Sequence, residues 1–116
     1  TDDPTYQLYL AVMAEYGDDV EDVDGYYALG GYAAVAALAA SLESIEGEIT
    51  PATVAESIRA MPETALPAGG GVTFRCGGSA VPNQPAICTN QWLRGELDAS
   101  GEPTAYTVED STDLIE

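Results

Sequence analysis

The sequence predicts an α/β chain in which three helices are followed by a small set of strands. Apolar residues recur at helical spacing through residues 1–66, and cap and stop signals frame three segments there. From Val72 onward the pattern changes to a period of two. The linker Pro67-Ala-Gly-Gly-Gly71 separates the two regimes. The expected division is therefore a helical part at 1–66, a strand and hairpin part at 67–108 carrying a Cys76–Cys88 loop, and an acidic, loosely held tail at 109–116.

Asp3 followed by Pro4 predicts the start of the first helix, because an aspartate caps the free N–H groups and proline tolerates the first helical position. Gly17 stands where a left-handed residue would close it. Tyr6, Tyr9, Leu10 and Met13 fall on one stripe and are expected to face the core. The polar run from Asp18 to Gly25 leads into the second helix, expected from about Tyr27 to Ile45. That helix is apolar on nearly every side, with Ala and Gly allowing close backbone approach, and turns amphipathic only at Glu43 and Glu46. A helix without a polar face is expected to be surrounded by protein, so the chain reads as part of something larger. Thr50-Pro51 opens a third helix that puts Val54, Ile58 and Met61 on one face, and Pro62 stops it. Val72–Cys76, Ala86–Leu97 and Glu102–Val108 are the predicted strands, with a hairpin turn at Asp98-Ala-Ser-Gly101.

Composition excludes several function classes. Twenty acidic residues stand against three Arg, with no Lys and no His, for a net charge of −17. Such a chain repels phosphate backbones and anionic lipid, so no nucleic-acid partner is expected. The longest apolar run, Ala28–Leu42, is too short and too rich in Ala and Gly to span a bilayer, so no direct membrane insertion is expected. Without His the usual general base near neutral pH is missing. Ser41, Ser44 and Ser57 lack a His partner, no carboxylate sits in an evident apolar site, and Gly69-Gly-Gly71 lacks the Lys of a phosphate-cradling loop. Enzymatic activity and a cofactor are therefore not expected. Asp22-Val-Asp24-Gly25 resembles the middle of a calcium loop, but Val20 and Gly31 fill the first and last ligand positions, so no metal site is expected. Cys76 and Cys88 flank a short loop between strand-like segments, which suits a disulfide and an oxidising compartment. The alternative is a pair of reduced cysteines in a cytosolic protein.

Three features in order carry a resemblance. An amphipathic helix ends in Met13-Ala-Glu-Tyr-Gly17. Tyr32-Ala-Ala-Val35 continues as an Ala/Leu-rich helix. A short helix from Thr50 to Met61 then leads through a Gly-rich loop into Gly71-Val-Thr-Phe74. Together with the hairpin Gln91–Gly101, this set resembles the C-terminal portion of the type I periplasmic substrate-binding proteins of ABC transporters, the branched-chain amino acid (Leu/Ile/Val) family. Two departures are visible: Ala33 follows the helix tyrosine where that family often has Asp, and the Cys76–Cys88 insertion is longer than the usual tight turn.

The resemblance implies two α/β lobes with a ligand cleft between them, closing about a hinge. Most cleft residues would then lie upstream of Thr1. It also implies that Tyr27, five positions before the helix tyrosine, lines the ligand site, with Tyr26 beside it. A flat ring suits an aliphatic or aromatic side chain of a ligand, and a phenol can bond a polar group. The alternative is that both rings pack at a helix start. The implied function is an extracytoplasmic solute-binding protein that captures a branched-chain or related amino acid for an ABC permease. A sensor or structural module of the same fold, without transport, is the other reading. Either places the protein in the periplasm or outside the cell, with the mode of anchoring left open.

Overall fold

The computed structural model describes residues 2–114, and the tail positions 115 and 116 lie outside it. The described chain is a mixed helix and sheet fold: α1 (Pro4–Tyr16), α2 (Tyr26–Leu42) and α3 (Pro51–Ala60), then β1 (Thr64–Ala65), β2 (Thr73–Phe74), β3 (Gln91–Leu97) and β4 (Pro103–Asp110). β1 pairs antiparallel with β2, β3 pairs antiparallel with β4, and a short 3-10 helix follows at Thr112–Leu114.

The helix starts follow the sequence signals. Asp3 Oδ1 accepts from the backbone N–H of Thr5 and Tyr6 and from the Thr5 hydroxyl. Thr50 and Thr53 form a reciprocal capping box at α3, whose first residue is Pro51. Gly17 does close α1, with its N–H on the Met13 carbonyl, but at φ −92° rather than in the left-handed region. The Cβ of any other residue at that position would meet the Met13 carbonyl, so it is space and not handedness that wants glycine there. α2 begins one residue earlier than the sequence predicts and stops at Leu42, three residues short of Ile45.

The strand part is more fragmentary than the period-two pattern suggests. Of Val72–Cys76 only Thr73 and Phe74 pair, and Ala86–Asn90 is irregular because the Cys76–Cys88 disulfide ties it back to the loop after β2. The Arg75 N–H donates to the Cys88 carbonyl at 2.6 Å, closing that loop against its own base. The predicted turn is present: Asp98 Oδ1 accepts from Ser100 and Glu102, and Gly101 takes φ +83°. β4 runs on to Asp110, two residues into the segment expected as tail. Ser111 then donates to the Asn90 carbonyl, so the segment up to Leu114 is tied to the hairpin.

The core is small. Met61, Phe74 and Cys76 form its centre, with Ala37, Ile58, Leu66 and Cys88 packed around them. Ser57 joins α3 to the end of α2: its hydroxyl donates to the Ser41 carbonyl at 2.7 Å and lies 2.9 Å from the Ser44 hydroxyl. Gly77, at φ +88°, lets the disulfide loop press on the last turn of α3, where an added Cβ would sit 2.7 Å from the Arg59 carbonyl oxygen. Gly77→Ala is expected to cost about 2 kcal/mol from the left-handed backbone alone. Gly30→Ala, in a helix with open space around it, is expected to gain about 1 kcal/mol. Urea midpoints of the two variants check this, and shifts of the same sign would contradict the packing described.

Much of the molecule is not closed over that core. The radius of gyration is 16.2 Å, against about 13 Å for a compact domain of this length. The accessible surface is 8281 Å², against about 6,000 Å² for a compact monomer of this mass. Large apolar residues on α2 and the β3–β4 hairpin are among those left open. Val35 is 71% exposed, and Leu38, Trp92, Leu97 and Tyr106 are all open to solvent. α2 thus lacks, within the described chain, the cover that its composition calls for.

Candidate functional site

Tyr26 and Tyr27 occupy the first turn of α2, next to Gly25, which supplies no side-chain cap. Their rings meet edge-on at 5.7 Å, and they are 85% and 89% exposed. The Asp22–Gly25 turn, closed by the Gly25 N–H on the Asp22 carbonyl, sets the pair at the end of the helix. The two rings form a solvent-facing aromatic platform, touching each other and lining none of the hollows described below.

Tyr9 is the anchor beneath. It is fully buried, its hydroxyl donates to the Val23 carbonyl, and its ring contacts Tyr6 at 5.9 Å and Tyr32 at 5.1 Å. That contact docks α1 on α2 and holds the acidic loop that leads into Tyr26. Burial, and then electrostatic repulsion from the nearby Asp24, Tyr6 and Asp22, push the Tyr9 phenol above its ordinary range. Its role is structural.

A hollow that Tyr6 helps to line lies between the start of α1 and the hairpin. A cleft of about 440 Å³ is lined by Asp3, Tyr6, Leu29, Ala68, Gly70, Leu93 and Tyr106. It exists because the Gly-rich turn after β1 is bonded to the start of α1. Ala68 N–H donates to the Thr5 hydroxyl at 2.8 Å, and Gly70 N–H donates to Asp3 Oδ2 at 2.9 Å. Ala68 is held at φ +55°, a left-handed conformation that costs a non-glycine residue about 1–2 kcal/mol. Opposite that turn stands the hairpin, whose register puts Leu93 against Val108 and Gly95 against Tyr106 on one face. A Cβ at Gly70 would sit 3.0 Å from Leu93 Cδ1, so glycine is what allows the turn and the hairpin to close together. Burial works to raise the Asp3 pKa, but the bonds from Thr5, Gly70 and Tyr6 outweigh it and hold the carboxyl below its ordinary range.

The sequence marked Asp3 as a cap and Tyr6 as core, and missed Leu93 and Tyr106 as cleft residues. The turn at Asp98–Gly101 alone would have set Tyr106 opposite Arg94, on the far face. It is the register shift between Glu96 and Leu97 that brings Tyr106 opposite Gly95 and onto the face of Leu93, and the sequence carries no signal for that shift. The bond from Asp3 to Gly70, 67 positions away, had no signal in the sequence.

A second hollow, also about 440 Å³, runs along α2 between Met13, Val20, Ala28, Gly31, Tyr32, Val35, Ala36 and Ala39, and is almost wholly carbon-lined. Among the described residues, no group of three or more His, Cys, Asp or Glu is placed to hold a metal ion, and no helix is long and apolar enough to cross a membrane. The disulfide Cys76–Cys88 is formed. Comparison with protein-family models, with curated proteins and with solved structures finds no match to this chain.

Proposed function

We propose that this chain is the closing part of an extracytoplasmic solute-binding protein of the ABC-importer type, with Tyr27, flanked by Tyr26, delivered to the rim of a ligand cleft by α2. The observation that carries this reading is α2 itself: apolar along its length, uncovered on its outer faces, and beginning with an exposed aromatic pair. A helix of that kind suits a chain whose remaining lobe packs over Val35 and Leu38, leaving the tyrosines at the lobe boundary. The disulfide supports a place outside the cytoplasm. On this reading the chain performs no covalent step. It closes over a small solute such as a branched-chain amino acid, and the closed form is what a permease recognises.

The test is thermal unfolding of the intact protein against aliphatic and aromatic amino acids, small acids and amides. A true ligand at about 100 times its dissociation constant adds roughly 2.7 kcal/mol. The expected result is a rise in midpoint with one chemical class, lost in Tyr27→Ala while the unliganded midpoint stays put, because Tyr27 is exposed. A shift that survives Tyr27→Ala removes the tyrosine from the site, and no shift with any member of the panel removes the solute-capture reading.

A further inference from the structure

The cleft between α1, α2 and the hairpin has a chemistry of its own, and it can be read by asking which ligand charge its wall can satisfy. A helix N-terminus ordinarily invites an anion. Here the invitation is already taken up. Thr5 and Tyr6 N–H donate to Asp3 Oδ1, and Gln7 N–H donates to the Asp3 carbonyl. Across the cleft, Ala68 N–H goes to the Thr5 hydroxyl, Gly69 N–H to the Leu66 carbonyl, and Gly70 N–H to Asp3 Oδ2. The backbone donors at both rims of the wall are thus engaged within the protein. None of the three Arg residues lines the cleft. A carboxylate or phosphate entering here would lose its water and find no cation and no free backbone donor at these rims.

A cation meets the opposite conditions. Asp3 is a full negative charge whose Oδ2 accepts one hydrogen bond, leaving acceptor capacity on that oxygen. Tyr6 and Tyr106 bring two electron-rich rings to the same hollow, and Leu29 and Leu93 supply apolar wall for alkyl groups. Aromatic faces beside an acidic group are the recurring way to hold a substituted ammonium. The net charge of −17 adds a field of the same sign. The volume, about 440 Å³, falls in the range of small-ligand sites.

We propose that this cleft binds a small organic cation of the substituted-ammonium class, held by Tyr6, Tyr106 and the Asp3 carboxylate with its alkyl groups against Leu29 and Leu93. The site is separate from the Tyr26–Tyr27 platform and stands or falls without it.

Three probes of one shape and three charges test this by calorimetric titration of the intact protein: choline, the alcohol in which a tert-butyl group replaces trimethylammonium, and the tert-butyl carboxylate. Choline is expected to bind about tenfold more tightly than its neutral isostere, and the carboxylate least. Tyr106→Leu should weaken choline about tenfold while Tyr106→Phe, which keeps the ring, should not. Asp3→Asn, which retains a good helix cap, should lower the preference for choline over the alcohol without lowering affinity for the alcohol. Trp92→Leu, outside the cleft, is the control and should change nothing. Circular dichroism establishes that each variant is folded, and Tyr106 is exposed enough that its loss leaves the fold intact. Equal binding of choline and the alcohol, preference for the carboxylate, choline binding unchanged in Tyr106→Leu, or no choline binding at about 10 mM would each overturn the proposal.

Discussion

Tyr9→Ala is expected to remove about 3–5 kcal/mol of stability, the largest loss from any single side chain of the helical half. Tyr9 is the one large side chain buried completely among the described residues. The helix it belongs to has few other attachments: the bonds from Asp3 and Thr5 to the Gly-rich turn, and the ring contact with Tyr32. Removing the ring empties the space between α1 and α2 and also frees the Val23 carbonyl that the phenol holds. Tyr9→Phe separates the two effects, because it keeps the ring contacts and loses only the hydrogen bond, at a cost of about 1–3 kcal/mol. Urea unfolding of both variants measures this. A loss below about 1 kcal/mol in Tyr9→Ala would mean that α1 docks by some other contact.

The same residue gives the chain an alkaline limit. Burial and the nearby Asp24, Tyr6 and Asp22 raise the folded-state pKa of Tyr9 above 10.0, so the folded state binds the phenolic proton more tightly than the unfolded chain does. Its contribution is complete below pH 10 and declines as pH rises from there through the folded value. The stability gap between the protein and Tyr9→Phe should therefore narrow above pH 10 and be constant below it. Asp3 has the opposite sign. Its folded pKa is below 3.8, so its cap stabilises fully above that value and is lost as pH falls through the lowered one.

The parts of the fold that were legible in the sequence are those set by neighbours along the chain. Asp3-Pro4 and Thr50-Pro51 announced two helices because capping is a local exchange of side-chain and backbone bonds. Asp98–Gly101 announced the hairpin for the same reason. What the sequence could not give was set by distant contacts. Ala86–Asn90 has strand-like composition, yet the disulfide and the Arg75–Cys88 bond draw it into a loop. Ala68 has no local reason to be left-handed, and takes that conformation in a turn whose ends are bonded to Thr5 and Asp3. The aromatic pair is a middle case: its place at the start of α2 was legible to within one residue, whereas its exposure depends on what covers α2 and is not written in Tyr26 or Tyr27.

Breaking the Cys76–Cys88 bridge is the second large effect, and it bears on where the protein can be folded. The bridge spans 12 positions, and closing a loop of that size stabilises by roughly 3 kcal/mol in the chain-entropy description. Cys76 is also part of the core with Met61 and Phe74, so Cys76→Ser additionally places a hydroxyl in an apolar site. Cys76→Ala with Cys88→Ala avoids that second cost and isolates the covalent constraint. The double variant, or the protein under reductant, should melt about 10 °C lower, and protease should cut first within residues 77–87, where Asn83, Gln84 and Pro85 are exposed. An unchanged midpoint would mean that the Arg75–Cys88 and Gly77–Pro85 backbone bonds hold the loop without the bridge. The expected loss is a large share of the 5–15 kcal/mol that a typical domain has in total. The core here is small and α2 is uncovered, so this chain is expected at the low end of that range. A compartment that keeps thiols reduced would then raise the unfolded fraction, and the disulfide is consistent with an extracytoplasmic location.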